Sequence, residues 1–234
     1  MNHILFLDIE TVSQEANYEL LSPEWKELWN KKAEALLKSR EEETVQSIYN
    51  RAGIYAEFGR IICISCGVIQ GYGDEKKIAV KSYFGHEEAL LLHQFSDMLR
   101  KWSADGNKYV CAHNGKEFDF PYLCRRMIIN NVPIPSILNT AGKKPWEVNH
   151  LDTMELWKFG DFKSYTSLNL LAHTLGIPTP KDDIDGSMVG DVYWNEKNLE
   201  RIAIYCQKDV VTAAQIYLRI QGESIIKPEN IEYK

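Results

Sequence analysis

The stretch Ile4-Leu5-Phe6-Leu7-Asp8-Ile9-Glu10-Thr11 decides how this chain folds. From Ile4 to Ile9 it is apolar throughout except at Asp8, the pattern of a central strand covered on both faces. Asp8 and Glu10 stand two apart, so on a strand both side chains leave the same face. Two carboxylates at that spacing repel strongly unless a cation lies between them. A strand end where both acids reach solvent is the plainer reading. Against it, Asp8 is embedded between Leu7 and Ile9, where an unpaired carboxylate is costly.

Outward from this strand, the segments alternate in type. Ser22-Pro23 starts a charged helix over Glu24–Arg40, proline being tolerated in a first turn, and Thr44–Ala52 reads as a second short helix. Arg60–Ile69 and Lys77–Phe84 are strands joined by Gly71-Tyr72-Gly73-Asp74, a hairpin signal. Leu91, Leu92, Phe95, Met98, Leu99 and Trp102 recur at helical spacing across Glu87–Trp102. A short strand follows at Lys108–Ala112, a helix at Phe120–Ile129 and a short strand at His150–Thr153. A helix over Ser167–Leu175 is closed by Gly176, with Pro178 beyond it. Residues 131–149 and 178–194 read as loops, and Leu199–Ile220 is the last long helix, ended by Gly222. The order predicts one α/β domain over residues 1–222, built on a mixed five-stranded sheet flanked by helices. A helical insertion occupies about 18–50, and residues 223–234 form a C-terminal tail.

The bulk numbers fit that reading. The 234 residues are 44% hydrophobic and 26% charged, ordinary for a globular domain with a full core. No apolar run approaches a membrane span, so a cytoplasmic protein with no membrane partner is expected. The formal net charge of -6 excludes holding nucleic acid by bulk electrostatics. An acidic site neutralised by metal ions can still bind a phosphate backbone locally. Cys63 and Cys66 have the CxxC spacing, but three residues apart on a strand they point to opposite faces. No second Cys/His pair completes a tetrahedral zinc set, so the five cysteines read as buried core thiols.

Two further segments carry acids in apolar settings. Asp119 precedes Phe120-Pro121 and would serve as a simple helix N-cap. The passage Val110-Cys111-Ala112-His113-Asn114-Gly115 also brings it to a strand end, where α/β sites form. Asn114 is the polar residue best placed there to touch a substrate, or else a turn former. Tyr205 and Asp209 are four apart on a helix and share a face beside the core stripe Ile202, Cys206, Val210 and Ala213. They could equally be just a hydrogen-bonded pair. Several buried carboxylates converging argue for divalent metal ions, and a pair of such ions suits phosphodiester cleavage.

In this order, on strand, turn and helix, Asp8, Glu10, Asp119, Tyr205 and Asp209 resemble the 3′–5′ exonucleases of the four-acid (DEDD) class, which have a ribonuclease H-like fold. A tyrosine four residues before the last aspartate resembles the tyrosine subgroup, which includes polymerase proofreading domains and the ribonuclease D group. The histidine subgroup would want histidine at position 204, where this chain has Ile204. With Phe58-Gly59-Arg60-Ile61 added, the chain most resembles stand-alone predicted exonucleases related to the family B DNA polymerase editing domain.

The resemblance implies two Mg2+ or Mn2+ ions, with Asp8 bridging them. Glu10 and Asp209 would complete the site of the attacking water, Asp119 would hold the ion near the leaving oxygen, and Tyr205 would orient the water. Thr11, Asn114 and Phe118 would hold the terminal nucleotide, and Asp152 fits a supporting acidic position. The expected partner is the 3′ end of single-stranded DNA, with RNA as the alternative and a polymerase or repair protein beyond it. A nuclease fold kept as a silent binding module is the third reading, and the presence of all four acids counts against it. Within 18–50, Trp25 and Trp29 with Lys26, Lys31 and Lys32 suggest either a docked stripe or an arm that stacks on bases.

Overall fold

The computed structural model describes residues 1–38, 42–161, 165–178 and 184–234. These build a mixed sheet of six strands in the order β5-β4-β1-β2-β3-β6. The strands are β1 (Ile4–Ser13), β2 (Gly59–Gln70), β3 (Lys77–Phe84), β4 (Tyr109–Ala112), β5 (His150–Asp152) and β6 (Ile231–Tyr233). The helices are α1 (Pro23–Leu37), α2 (Glu88–Trp102), α3 (Asp119–Ile129), α4 (Thr153–Lys158), α5 (Leu168–Thr174), α6 (Val189–Asp191) and α7 (Leu199–Ile220). The result is an α/β fold consistent with the ribonuclease H-like architecture.

Strand β1 is the centre of the sheet, antiparallel to β2 and parallel to β4. Its odd residues Leu5, Leu7 and Ile9 enter one core with Leu92, Phe95 and Leu99 of α2 and Leu123 and Met127 of α3. Ile4 and Phe6 face the other way, against Val210, Ala214 and Leu218 of α7. Burial on both faces explains the continuous apolar run. Asp8 and Glu10 continue the Ile4–Phe6 series, so the two acids stand on the face covered by α7. The CxxC cysteines separate as their spacing requires: Cys66 belongs to the α2 and α3 core, Cys63 to the cluster beside α7.

Two expectations need correction. The sheet has a sixth strand, because the tail pairs: β6 lies parallel to β3, Ile78 opposite Ile231. Two anchors hold the tail before that strand. Ile226 is buried with its N–H and carbonyl both bonded to the Gln215 side chain, and the buried Lys76 pairs with Glu223 at 2.9 Å. The second short helix is a 3-10 segment displaced to Ser47–Ile54.

Of the two readings of the 18–50 segment, the docked stripe holds. Trp29 is fully buried, its indole N–H donating to the Val45 carbonyl at 2.9 Å and its ring lying edge-on to Tyr49 and Phe58. Trp25 meets Phe58 as well. The apolar stripe of α1 therefore docks on the 3-10 segment and the start of β2, and Trp29 cannot stack on a base. The final residues of the expected Glu24–Arg40 helix, and residues 179–183 of the expected loop, lie outside the described residues.

Candidate active site

Parallel strands β1, β4 and β5 all end at one side of the sheet, the place where open α/β sheets bind ligands. Strand β1 runs on past β4, whose last partner is Cys111 opposite Phe6. Beyond that point, the Ile9 N–H has lost its strand partner on that side. Asp119, at the first residue of α3, supplies the acceptor: Ile9 N donates to Asp119 Oδ1 at 3.2 Å. One bond thus sets the third acid against the other two. On the opposite edge the β1–β2 register shifts between Glu10 and Thr11, with Cys63 and Ile61 as successive partners. Such a bulge re-aims side chains and is common beside active sites.

Helix α7 closes the site. Asn198 caps it by accepting from Arg201 N at 3.1 Å, and its apolar face, including Ile202, Cys206 and Val210, is buried against the sheet. The Cys206 thiol donates to the Asp8 carbonyl at 3.4 Å, which fixes helix against strand. Tyr205 and Asp209, one turn apart, then face the β1 acids, and the Tyr205 phenol is hydrogen-bonded to Asp209.

The electrostatics report the convergence. Burial, then the charges of Glu10, Asp209 and Asp119, hold the Asp8 carboxyl well above the usual range. Burial, with Asp209 as the main charge, raises Glu10 likewise. Asp119 is pushed up to about 7 by burial, opposed by the backbone N–H bonds it accepts. Burial and the Asp209 charge raise the Tyr205 phenol, which stays protonated at neutral pH. Among the described residues Asp8, Glu10 and Asp119 form no ion pair, and Asp8 Oδ2 is buried with no hydrogen-bond partner. Mutually repelling carboxylates with an orphaned oxygen fit hard divalent cations. Atoms of Asp8, Glu10 and Cys206 lie within 4.8 Å of one another. Burial holds the Cys206 thiol far above its ordinary value, so oxygen donors suit Mg2+ or Mn2+ there, not the thiol.

These groups line a cleft of about 1140 Å3 with Asn114, Phe118, Tyr165 and Met188. Asn114 adopts φ +61°, and its Oδ1 is buried without a partner. Gly115 allows the turn: a Cβ there would stand 2.4 Å from Ala112 Cβ. Asp152 does not line the cleft. It is buried and accepts from Asn114 N at 3.0 Å, Lys116 N at 3.1 Å and Met154 N at 2.9 Å, so it fixes the 113–119 turn and caps α4 together. Thr11 is outside the lining too, its hydroxyl turned to the Tyr122 phenol on the other face of β1.

Sequence reasoning missed His113, Ile54 and the Ile184–Met188 wall, all of which line the cleft. His113 sits in the turn already singled out. Its ring nitrogens meet Thr153 Oγ1 at 2.9 Å and the Thr166 carbonyl at 2.8 Å, and burial lowers its pKa, so it is neutral. Ile54 carries no chemical signal, and Asp185 stands in no apolar run that would mark it; only the fold brings them to the cleft.

The family model describing a predicted 3′–5′ exonuclease related to the exonuclease domain of PolB matches residues 54–226. The chain belongs to that family. The matched segment carries Asp119, Tyr205 and Asp209, whereas Asp8 and Glu10 precede it and join them through the β1–β2 and β1–β4 pairings. No curated protein sequence matches the chain. No helix among the described residues is long and apolar enough to cross a membrane.

Proposed function

We propose that this member of the PolB-related exonuclease family is a metal-dependent enzyme that removes nucleotides from the 3′ end of single-stranded DNA. The observation that carries the reading is the buried, unpartnered Asp8 Oδ2 amid converging, mutually repelling carboxylates. Two divalent ions, Mg2+ or Mn2+, held by Asp8, Glu10, Asp119 and Asp209, would supply an activated water and neutralise charge on the leaving 3′ oxygen.

The remaining groups position the strand. Tyr205 keeps its proton throughout the neutral range and donates it to Asp209, so it orients that carboxylate and leaves its phenol oxygen as an acceptor for a water at the cleft floor. Asn114 Oδ1 is an acceptor awaiting a partner, and the rigid turn held by Asp152 aims it. Phe118, braced at 5.3 Å by Tyr122, offers an apolar wall to a base or sugar. His113, neutral and fully engaged, braces the wall and transfers no proton.

The test uses 5′-labelled DNA and RNA single strands incubated with Mg2+, Mn2+ or chelator. The reading expects a ladder shortening by one nucleotide at a time from the 3′ end, with DNA preferred and nothing in chelator. Fragments released from the 5′ end, internal cuts or metal-independent cleavage would overturn it.

A further inference from the structure

We propose a second nucleic-acid contact: a basic groove beside the active-site turn that carries the upstream part of the strand whose 3′ end enters the cleft. The inference rests on the exonuclease reading and adds a site to it. Lys116 lies in the turn between Asn114 and Asp119, both of which line the catalytic cleft. Lys116 itself lines a different depression, of about 370 Å3, with Phe120, Pro121, Thr140 and Lys143. Thr140 and Lys143 also line an adjoining one of about 240 Å3, which continues to Lys108. The two form a trough running away from the cleft, and the 113–119 turn separates cleft from trough.

Lys143, Glu147 and Val148 line the trough, and Lys144 and Trp146 stand exposed on the same segment at its rim. Lys108 is paired with Asp105 and Lys116 with Glu155. Lys143 and Lys144 are exposed and form no ion pair among the described residues; Glu147 accepts only the backbone N–H of Lys144, at 2.8 Å. Lys116 and Lys143 are close enough to His150 for both to lower its pKa, so the two cations share one locality. Trp146 is 77% exposed, with the Lys144 ammonium 5.2 Å from its ring centre. An exposed indole among unneutralised lysines has no packing role. On a chain of net charge -6, it stands out as the match for an anionic backbone with stackable bases.

The occupant is therefore single-stranded nucleic acid: phosphates at Lys143 and Lys144, a base on Trp146. Steady-state digestion by the wild type, Trp146→Ala and a Lys143→Ala/Lys144→Ala double variant tests this, using strands of about four and about sixteen nucleotides, the usual range of single-strand sites. All three side chains are exposed, so folding is not at stake. On the long strand, Trp146→Ala should raise KM roughly 5- to 150-fold, the worth of one stacked base. The double variant should flatten the salt dependence of log KM by about 1.4, two phosphates at about 0.7 each. On the short strand both variants should match the wild type, with kcat unchanged throughout.

Equal KM on the long strand for all three proteins, or an equal loss on both lengths, overturns the groove. If the wild type digests neither strand, the exonuclease reading fails. Fluorescence anisotropy with the long strand then judges the groove alone: weaker binding by Trp146→Ala supports it, and unchanged binding overturns it.

Discussion

Asp119 Oδ1 accepts the Ile9 N–H at 3.2 Å, and Ile9 stands between Asp8 and Glu10. A backbone donor left over where β1 outruns β4 is thereby used to lock the first turn of α3 against the strand carrying two other acids. The same carboxylate serves packing and the candidate metal site, which links stability to both pH and metal.

The first consequence is a pH dependence of the metal-free protein. Asp119 is held at about 7, above its ordinary 3.8, so the folded state binds this proton more tightly than the unfolded one. Its contribution is fully present below pH 3.8 and lost as pH rises through about 7. Asp8 and Glu10, also raised, act in the same direction. Melting in chelator should therefore show stability falling between about pH 4 and pH 7. The fall should reach a few kcal/mol, since each tenfold gain in proton affinity on folding is worth roughly 1.4 kcal/mol. Millimolar Mg2+ or Mn2+ should remove most of the decline, since a ligand bound only by the folded state stabilises it. A melting temperature that climbs with pH in chelator would contradict the buried acid cluster.

Asp152 should behave as a positioning residue. Asp152→Ala takes this acceptor from the N–H groups of Asn114, Lys116 and the buried Met154, at about 1–3 kcal/mol for each that water does not reach. Melting should show that loss. Asp152→Asn, which keeps one acceptor oxygen, should recover part of the stability and part of the activity. Full activity in a destabilised Asp152→Ala would separate the turn from the chemistry.

Gly115→Ala tests the same turn from the steric side. The added Cβ meets Ala112 Cβ at 2.4 Å, so the turn must shift, at a cost of about 1–3 kcal/mol. Activity should fall further than stability alone explains, because Asn114 and Asp119 flank the displaced segment. Unchanged melting would show that the turn has room to give.

Tyr205→Phe should slow single-turnover cleavage less than Asp209→Asn does. The first removes one orienting hydrogen bond and the second a charged ligand. Because the Tyr205 phenol stays protonated across the neutral range, the loss in Tyr205→Phe should not vary between about pH 6 and pH 9. A loss that grows with pH would make Tyr205 a titrating acid.

Trp29→Ala should cost about 3–5 kcal/mol, the usual penalty for deleting a buried indole, and should leave the metal-induced melting shift intact. Melting with and without Mg2+ checks both.

Three of the converging site residues were readable because they interrupt or flank an apolar pattern whose period was plain. Asp8 breaks a two-sided strand, and Tyr205 and Asp209 lie beside the core stripe of α7. Long elements with strong periodicity, β3 and α7, fell at their expected limits. Local signals failed where tertiary packing decides. Ile231-Glu232-Tyr233 offers a single alternation and becomes a strand only because edge strand β3 accepts it. The α1 stripe shows that Trp29 must be covered by something but does not name Tyr49 and Phe58 as the cover. Exposure is equally invisible in sequence: of two tryptophans near lysines, Trp29 is buried and Trp146 is open.

The most direct measurement is digestion of a 5′-labelled single strand by wild type and Asp8→Asn in Mg2+, with melting of both proteins in chelator alongside. The wild type should shorten the strand from its 3′ end. Asp8→Asn should be slower by more than about 100-fold, beyond the loss seen when only an outer partner of a metal ligand is removed. Its chelator melting temperature should equal or exceed that of the wild type, because a repelling buried charge is gone. An Asp8→Asn variant that digests at the wild-type rate, or that melts several degrees lower in chelator, would contradict a metal site built around Asp8.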